Sequence, residues 1–411
     1  MEELFNNPGE RIIAAGITRL NDGKLTGLNR NDLVIGGSGS GKTTGYISPN
    51  IYHPSGSFVC SDTKGKLYGK YRKSLEDKGY DVRLIDLVDP SASCGYNPLS
   101  YIRRNKSGML LEADIKKIAT LLVPEMAKDD PFWTQSAARM ISLYIGYVIE
   151  AMPYDKRNMT SVLKLHRGFL SGAASDKVEE FALDHPDSYT ARKYAMLSDF
   201  NKSEKTYRCV LEFVNESLDA FDCKEFNTIF ASGDAVDIHQ LGRRKTALFI
   251  NSSDHDRSYN VLSCIINCQI LQTLIDDADK NETGELPCPV NLFLDDFAAA
   301  AKIPDFDMTI SIIRSRNISV SIMLQSLSQL NHMYGKDSAT TIINNCDTIL
   351  YLGGGHDLET ADFVSNHANM TRHSVLSLPR GKAILITSGE KPLQVDKIKA
   401  TDEVTGFTVQ P

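Results

Sequence analysis

A mostly parallel, doubly wound α/β sheet interrupted by an all-helical insertion is the architecture expected of this chain, on three observations. Short apolar runs alternate with helical stretches up to residue 104; the alternation stops between 105 and 240, where the chain reads as helices; it then resumes to residue 388. Strands alternating with helices imply parallel pairing through crossover helices. The length of 411 residues suits a large domain with an insertion, and 42% hydrophobic with 24% charged residues is an ordinary globular composition.

The first strand is DLVIGG (32–37), and GKTTGYISPNI (41–51) opens the helix behind it, which Pro49 must end or bend. GSFVCSD (56–62) is a second strand, GKLYGKYRKSLEDKG (65–79) a charged helix, and YDVRLIDL (80–87) a third strand. Helical periodicity then runs through LLEADIKKIATLLVPEM, PFWTQSAARMISLYIGYVIEAM, TSVLKLHRGFLSG, SDKVEEFALDH, SYTARKYAMLSDF and EKTYRCVLEFVNESLDAF. The sheet resumes with KTALFINSS (245–253), VNLFLDD (290–296), ISVSIMLQS (318–326) and DTILYLG (347–353), and KAILITS (382–388) supplies a late edge strand. The expected division is therefore 1–104 with 241–411 as one discontinuous nucleotide-binding domain and 105–240 as the insertion. No internal repeat is visible.

A formal net charge of -7 argues against a uniformly basic nucleic-acid coat, so any DNA contact is local. The eight cysteines show no CxxC pairing, as expected of reduced thiols, and the histidines show no ligand spacing. MEELFNNPGERIIAAG has no signal-peptide pattern and MISLYIGYVIEAM is shorter than a membrane span, so the chain as given reads as soluble.

Gly36, Gly41, Lys42 and Thr43 fit G-x-x-x-x-G-K-[ST] between a strand and a helix. Amides of residues 37 to 43 can converge on a phosphate chain, because Gly36, Gly37, Gly39 and Gly41 tolerate the required backbone angles beside Ser38, Ser40 and Thr44, and the helix start adds its positive end. Lys42 would neutralise the β- and γ-phosphates of ATP, and Thr43 would hold Mg2+. NLFLDDFA then supplies a second strand-end carboxylate: Asp295 for the magnesium through water, and Asp296 to orient the attacking water. Gln325 ends a buried strand, where it either senses the γ-phosphate or caps the next helix. Of Arg314 and Arg316, one could reach a neighbouring subunit's nucleotide as an arginine finger, the alternative for each being an ordinary surface arginine. Asp62, Lys64 and Gly65 border the same edge or form a turn, and Trp133 anchors helix packing rather than a base.

Four stretches together resemble the VirD4/TraG/TraD type IV coupling proteins: GGSGSGKTTGYISPNI, SDTKGKLYGKYRKSLEDKGYDVRLIDLVDPSASCGYNPL, DPFWTQSAARMI, and the segment from FLDDFAAAAKIPDFDM to ETADFVS. The resemblance runs from about residue 10 to 390, and the second and last stretches are not shared by P-loop ATPases generally. It implies a RecA-like motor domain with an inserted helical domain, working as a homo-hexamer at the cytoplasmic face of the bacterial inner membrane. Such a motor brings relaxase-bound single-stranded DNA, or an effector protein, to the type IV secretion channel and drives transfer by ATP hydrolysis. By motif position, Lys42 and Thr43 bind nucleotide and magnesium, Asp295 is the Walker-B acid, Gln325 the phosphate sensor, Arg314 the likeliest finger and Arg30 a second trans-acting candidate.

Three departures stand out. Members of that family usually carry transmembrane helices before the motor, whereas here the loop begins at residue 36. Membrane association is then expected only through partners or through an anchor absent from this sequence. The usual Asp–Glu reads Asp295–Asp296, one methylene shorter, which implies slow or rearranged hydrolysis. The usual D-P-K-G-E reads Asp62–Thr63–Lys64–Gly65–Lys66, with one charge reversed. The alternative to a motor is a nucleotide-binding recruitment module that docks relaxase through its helical insertion; a translocase of the chromosome-segregation type is disfavoured by the stretch 57–99.

Overall fold

The computed structural model describes residues 9–123, 131–197, 203–219, 221–253, 260–298 and 302–399. It contains an antiparallel hairpin of β1 (Glu10–Ala14) and β2 (Ile17–Leu20) and one large sheet. The sheet comprises β3 (Asp32–Ile35), β4 (Ser57–Asp62), β5 (Asp81–Asp86), β6 (Thr246–Asn251), β7 (Val290–Leu294), β8 (Ile318–Leu324), β9 (Thr348–Tyr351), β10 (Lys382–Thr387) and β11 (Leu393–Asp396). Its order is β11-β10-β9-β3-β8-β7-β4-β6-β5, parallel from β9 to β5, with β10 and β11 antiparallel.

All the strands read from the sequence are present, because runs such as Asp32–Ile35 and Ile318–Leu324 are buried along their whole length, as parallel strands covered on both faces must be. Two corrections concern the flanks. KAILITS is not the edge, since β11 pairs outside it. The β1–β2 hairpin was not anticipated: ERIIA and ITRL are too short and too mixed to stand out.

Pro49 does not end its helix. A wide π turn over Thr43–Ile47 leads into the α-helical turn Ser48–Tyr52, and the chain stays helical until His53. Proline clashes with the carbonyl four residues back, and the wider turn before it accommodates that clash.

The chain separates into two compact units, one of Met1–Val88, Asp237–Asn260 and Ile270–Pro411, the other of Asp89–Val236 and Val261–Gln269. Their limits differ from the expected 104/105 and 240/241: the loop after β5 already belongs to the helical unit, as does the segment 261–269 of the helix Asn260–Lys280. The first unit holds the sheet, with Val34, Phe58, Phe249, Phe293 and Met323 in one buried cluster. The second is helical, built around Pro131–Ala151, and includes a short helix, Lys224–Ala231, that the sequence reading passed over. Trp133 stacks on Phe213 with centroids 5.7 Å apart and an interplanar angle of 9°, a packing role as expected. Of the anticipated helical and motif stretches, residues 124–126, 130, 198–200, 220 and 299–301 lie outside the described residues.

Candidate functional site

The parallel strands all end on one edge of the sheet, and the phosphate-type loop leaves β3 there. Its first two glycines are held as though they extended the sheet. Gly36 N–H donates to the carbonyl of Leu324 (3.0 Å), the last residue of β8, and Gly37 N–H to the Gly353 carbonyl (3.1 Å) just beyond β9. A Cβ on Gly37 would lie 2.2 Å from the Gly354 carbonyl oxygen, so only glycine permits this approach. Ser40 N–H donates to Gly37 O at 3.2 Å. Among the described residues, the amides of Ser38, Gly39, Gly41 and Lys42 have no such acceptor. The amides available to an anion therefore begin at Ser38, not at Gly37. Positive φ values of 71° at Gly39 and 98° at Gly41 shape this nest, and Thr44 follows, exposed, in the first helical turn.

Lys42 is 8% exposed and donates from Nζ to the Gly36 (2.7 Å) and Gly37 (3.3 Å) carbonyls. Burial lowers its pKa, against the opposing charges of Asp296 and Asp295, while Lys64 lowers it further. Thr43 Oγ1 donates to Asp295 Oδ2 at 3.0 Å, although β8 lies between the two parent strands. Burial and the neighbouring Asp296 raise the pKa of Asp295, offset by the Thr43 hydrogen bond and by Lys42. Gln325, at the end of that intervening β8, donates from Nε2 to Asp296 Oδ1 at 3.2 Å. Asp296 itself takes a left-handed backbone, φ 45°, a conformation that aspartate and asparagine tolerate better than longer side chains. Lys42, Thr43, Asp295, Asp296 and Gln325 thus form one contiguous constellation.

The remaining candidates divide. Asp62 closes its turn by accepting from the amides of Lys64 (3.2 Å) and Leu67 (2.6 Å), so the turn reading describes it, while Lys64 lies close enough to act on Lys42. Arg30 and Arg314 are not brought to the loop. Arg30 precedes β3, and Arg314 lies in the turn Arg314–Arg316 before β8, at the edge where the strands begin. Arg314 Nη2 donates to Gly27 O at 2.8 Å. Arg30 makes no hydrogen bond among the described residues, and burial together with Arg11 pushes its pKa down to about 10. Arg316 is committed to Asp279, at 2.7 and 3.2 Å.

Three supports escaped the sequence reading. The GGG run 353–355 grips the loop, and its glycines were the only available signal. Under β3, Asp32 accepts from Arg11 Nε at 2.8 Å and from the Tyr46 hydroxyl, tying the loop's strand to its helix and to β1. Lys397, just beyond β11, donates to Ser40 O at 3.1 Å, and nothing in its local sequence marks it.

Because this constellation needs all five groups at once, a chain sharing the fold and motif order is an informative match. The model of the family described as "Type IV secretory system Conjugative DNA transfer" matches residues 4–370. The chain is similar to the probable conjugal transfer protein TraG of Sinorhizobium fredii, 23% identical over 359 residues, covering 82% of this chain and 52% of that protein. It is likewise similar to conjugal transfer protein TraG of Agrobacterium fabrum, 21% identical over 385 residues, covering 89% and 55%. It spans about half the length of the curated relatives it matches. Among solved structures, the unbound bacterial conjugative coupling protein TrwBdeltaN70 superposes with a TM-score of 0.67 at 16% identity, over 97% of this chain and 91% of that one. TrwB in complex with ADP and Mg2+ gives 0.66, at the same identity and coverage.

Proposed function

Since the chain belongs to the type IV secretory system conjugative DNA transfer family, we propose that it is a coupling ATPase that brings relaxase-bound DNA, or an effector protein, to a secretion channel and drives transfer by ATP hydrolysis. The observation that carries the ATPase reading is the pair of hydrogen bonds Thr43–Asp295 and Gln325–Asp296 beside Lys42. Three strand ends thereby supply the charge, the metal-side oxygens and the base that phosphoryl transfer to water requires. The RecA-like fold, with its helical insertion, is shared with the TrwB structures, one of which holds ADP and Mg2+.

In this reading the free amides of Ser38, Gly39, Gly41 and Lys42 and the Lys42 ammonium receive the phosphates. Thr43 Oγ1 and Asp295 would hold Mg2+, the latter through water; their adjacent oxygens and the deprotonated acid fit that ion's preference for oxygen donors. When bound there, the metal would supply neutralisation of phosphate charge. Asp296 accepts the proton of the attacking water, and Gln325 fixes the Asp296 carboxylate through Oδ1 while its amide senses the γ-phosphate. Arg314 and Arg30 serve the site of the next subunit in a hexameric ring, because their own lies at the far edge of the sheet.

The shorter base favours a second reading, a nucleotide-loaded recruiter with little turnover. Steady-state ATP hydrolysis, with and without single-stranded DNA, separates the two. DNA-stimulated turnover that disappears in Asp296→Asn supports the motor; nucleotide binding without turnover supports the recruiter.

A further inference from the structure

The charges around the loop single out a residue that no motif contains. β11 ends at Asp396, and the Lys397 amide donates to Gly381 O at 2.9 Å, which fixes where the strand exits. From there Lys397 Nζ reaches the Ser40 carbonyl at 3.1 Å. The Ile398 carbonyl lies 3.4 Å from the position a Cβ would take on Gly45. Lys397 and Ile398 therefore run along one flank of the loop, closing a small cleft against Ile13, Gly41 and Leu352. That flank belongs to the β9–β10–β11 side of β3, whereas Asp295, Asp296 and Gln325 come from the β8 and β7 side.

Lys397 is half-buried, and burial lowers its pKa. Among the described residues it has no carboxylate partner, and its one hydrogen-bond acceptor is a neutral peptide carbonyl. An ammonium partly withdrawn from water is costly unless a negative charge offsets it. Here the adjacent group is a loop whose amides at Ser38, Gly39, Gly41 and Lys42 are disposed to receive an anion. We propose that Lys397 is a second lysine of the nucleotide site, neutralising the α- and β-phosphates of a bound nucleoside di- or triphosphate from the flank opposite Asp296. The proposal rests on the reading of residues 36–44 as a nucleotide site. Because Lys397 stands on the β9 flank of the loop, and Gln325 and Asp296, where the γ-phosphate must lie for hydrolysis, on the β8 and β7 flank, its contribution falls on the phosphates that ADP and ATP share.

The test is a fluorescent titration of ADP and ATP against the wild-type chain and its K42A, K397M, K397Q and K397R variants, with thermal midpoints measured without nucleotide. K397M and K397Q should each weaken ADP and ATP alike, by about tenfold; K397R should stay near wild type, and the midpoints should not move. Glutamine keeps a donor for Ser40 but carries no charge. Wild-type affinity in K397Q with loss in K397M would therefore overturn the proposal and leave Lys397 a tether. Wild-type affinity in both, while K42A loses binding, overturns it outright. A midpoint lowered in K397M and K397R together reduces it to a packing role. Retained affinity in K42A removes the nucleotide site itself, an outcome distinct from the others.

Discussion

Where the parallel strands end, Lys42 faces Asp295 and Asp296; where the same strands begin, Arg11, Arg30 and Arg314 gather. The first edge brings Lys42, Thr43, Asp295, Asp296 and Gln325 together and has no arginine among them. The second has arginines and no loop. From Arg30 to Gly36 is six residues of extended chain, roughly 20 Å, beyond the reach of any side chain. A head-to-tail contact between identical copies sets one edge against the other, and repeated with closure it makes a ring. Under the proposed function, the difference between the edges is the reason a hydrolytic site would draw on an assembly.

Mixing experiments can break this comparison. Lys42→Ala should remove nucleotide binding and transfer outright, since among the described residues no other side chain donates to the same loop carbonyls. Mixed with Asp295→Ala subunits it should stay inactive, because both lesions fall on the same edge. Arg314→Ala should cost roughly 10³-fold in turnover. Mixed with Asp295→Ala it should recover measurable hydrolysis, because sites pairing an intact Asp295 with an intact Arg314 reappear. No recovery in rings shown to be mixed would mean that Arg314 does not act across subunits.

Asp296→Asn sharpens the description of the acidic edge. Asparagine is at home in the left-handed backbone of residue 296, so the fold and the nucleotide affinity should hold while turnover falls about 10²-fold or more. Asp296→Glu should lower turnover as well, since the longer acid shifts its oxygens away from Gln325 and is less suited to that backbone. A rise in turnover would instead show that the family's longer base fits this strand end.

The smallest effect concerns stability. Burial and Asp296 raise the folded-state pKa of Asp295 above its unfolded value, so its ionised form is a cost to folding at neutral pH. Asp295→Asn should raise the nucleotide-free thermal midpoint by about 2 °C at pH 7. That gain should shrink as pH falls through the raised pKa and vanish below the unfolded one, where wild-type Asp295 is also neutral. A gain independent of pH would assign the effect to packing.

The two edges were also unequally legible. The acidic edge announces itself because phosphate chemistry demands fixed spacings within short segments: Gly36 to Thr43 on one strand end, Asp295 after a buried run on another. The arginine edge has no such grammar, since Arg30 and Arg314 come to the same edge only through the pairing of β3 with β8. The exchange of edge strand from β10 to β11 was hidden for a similar reason. LQVD is exposed at three of its four positions, and one buried valine gives no clear alternation. The β1–β2 hairpin escaped in the same way, although Arg11 within it completes the buried charge pair beneath β3.

The loop's bond to the neighbouring strand ends has a mechanical consequence. Gly36 and Gly37 are anchored to the ends of β8 and β9, whereas Ser38 and Gly39 are not. The loop is thus a lever with a planted foot, and its hinge falls at Ser38. Any rearrangement that follows the fate of a ligand must swing the part beyond residue 38 and leave the first two glycines in step with the sheet. In hydrogen exchange the amides of Gly36 and Gly37 should keep the slow clock of the strands whether or not a ligand is bound, while those of Ser38, Gly39 and Gly41 change pace with it.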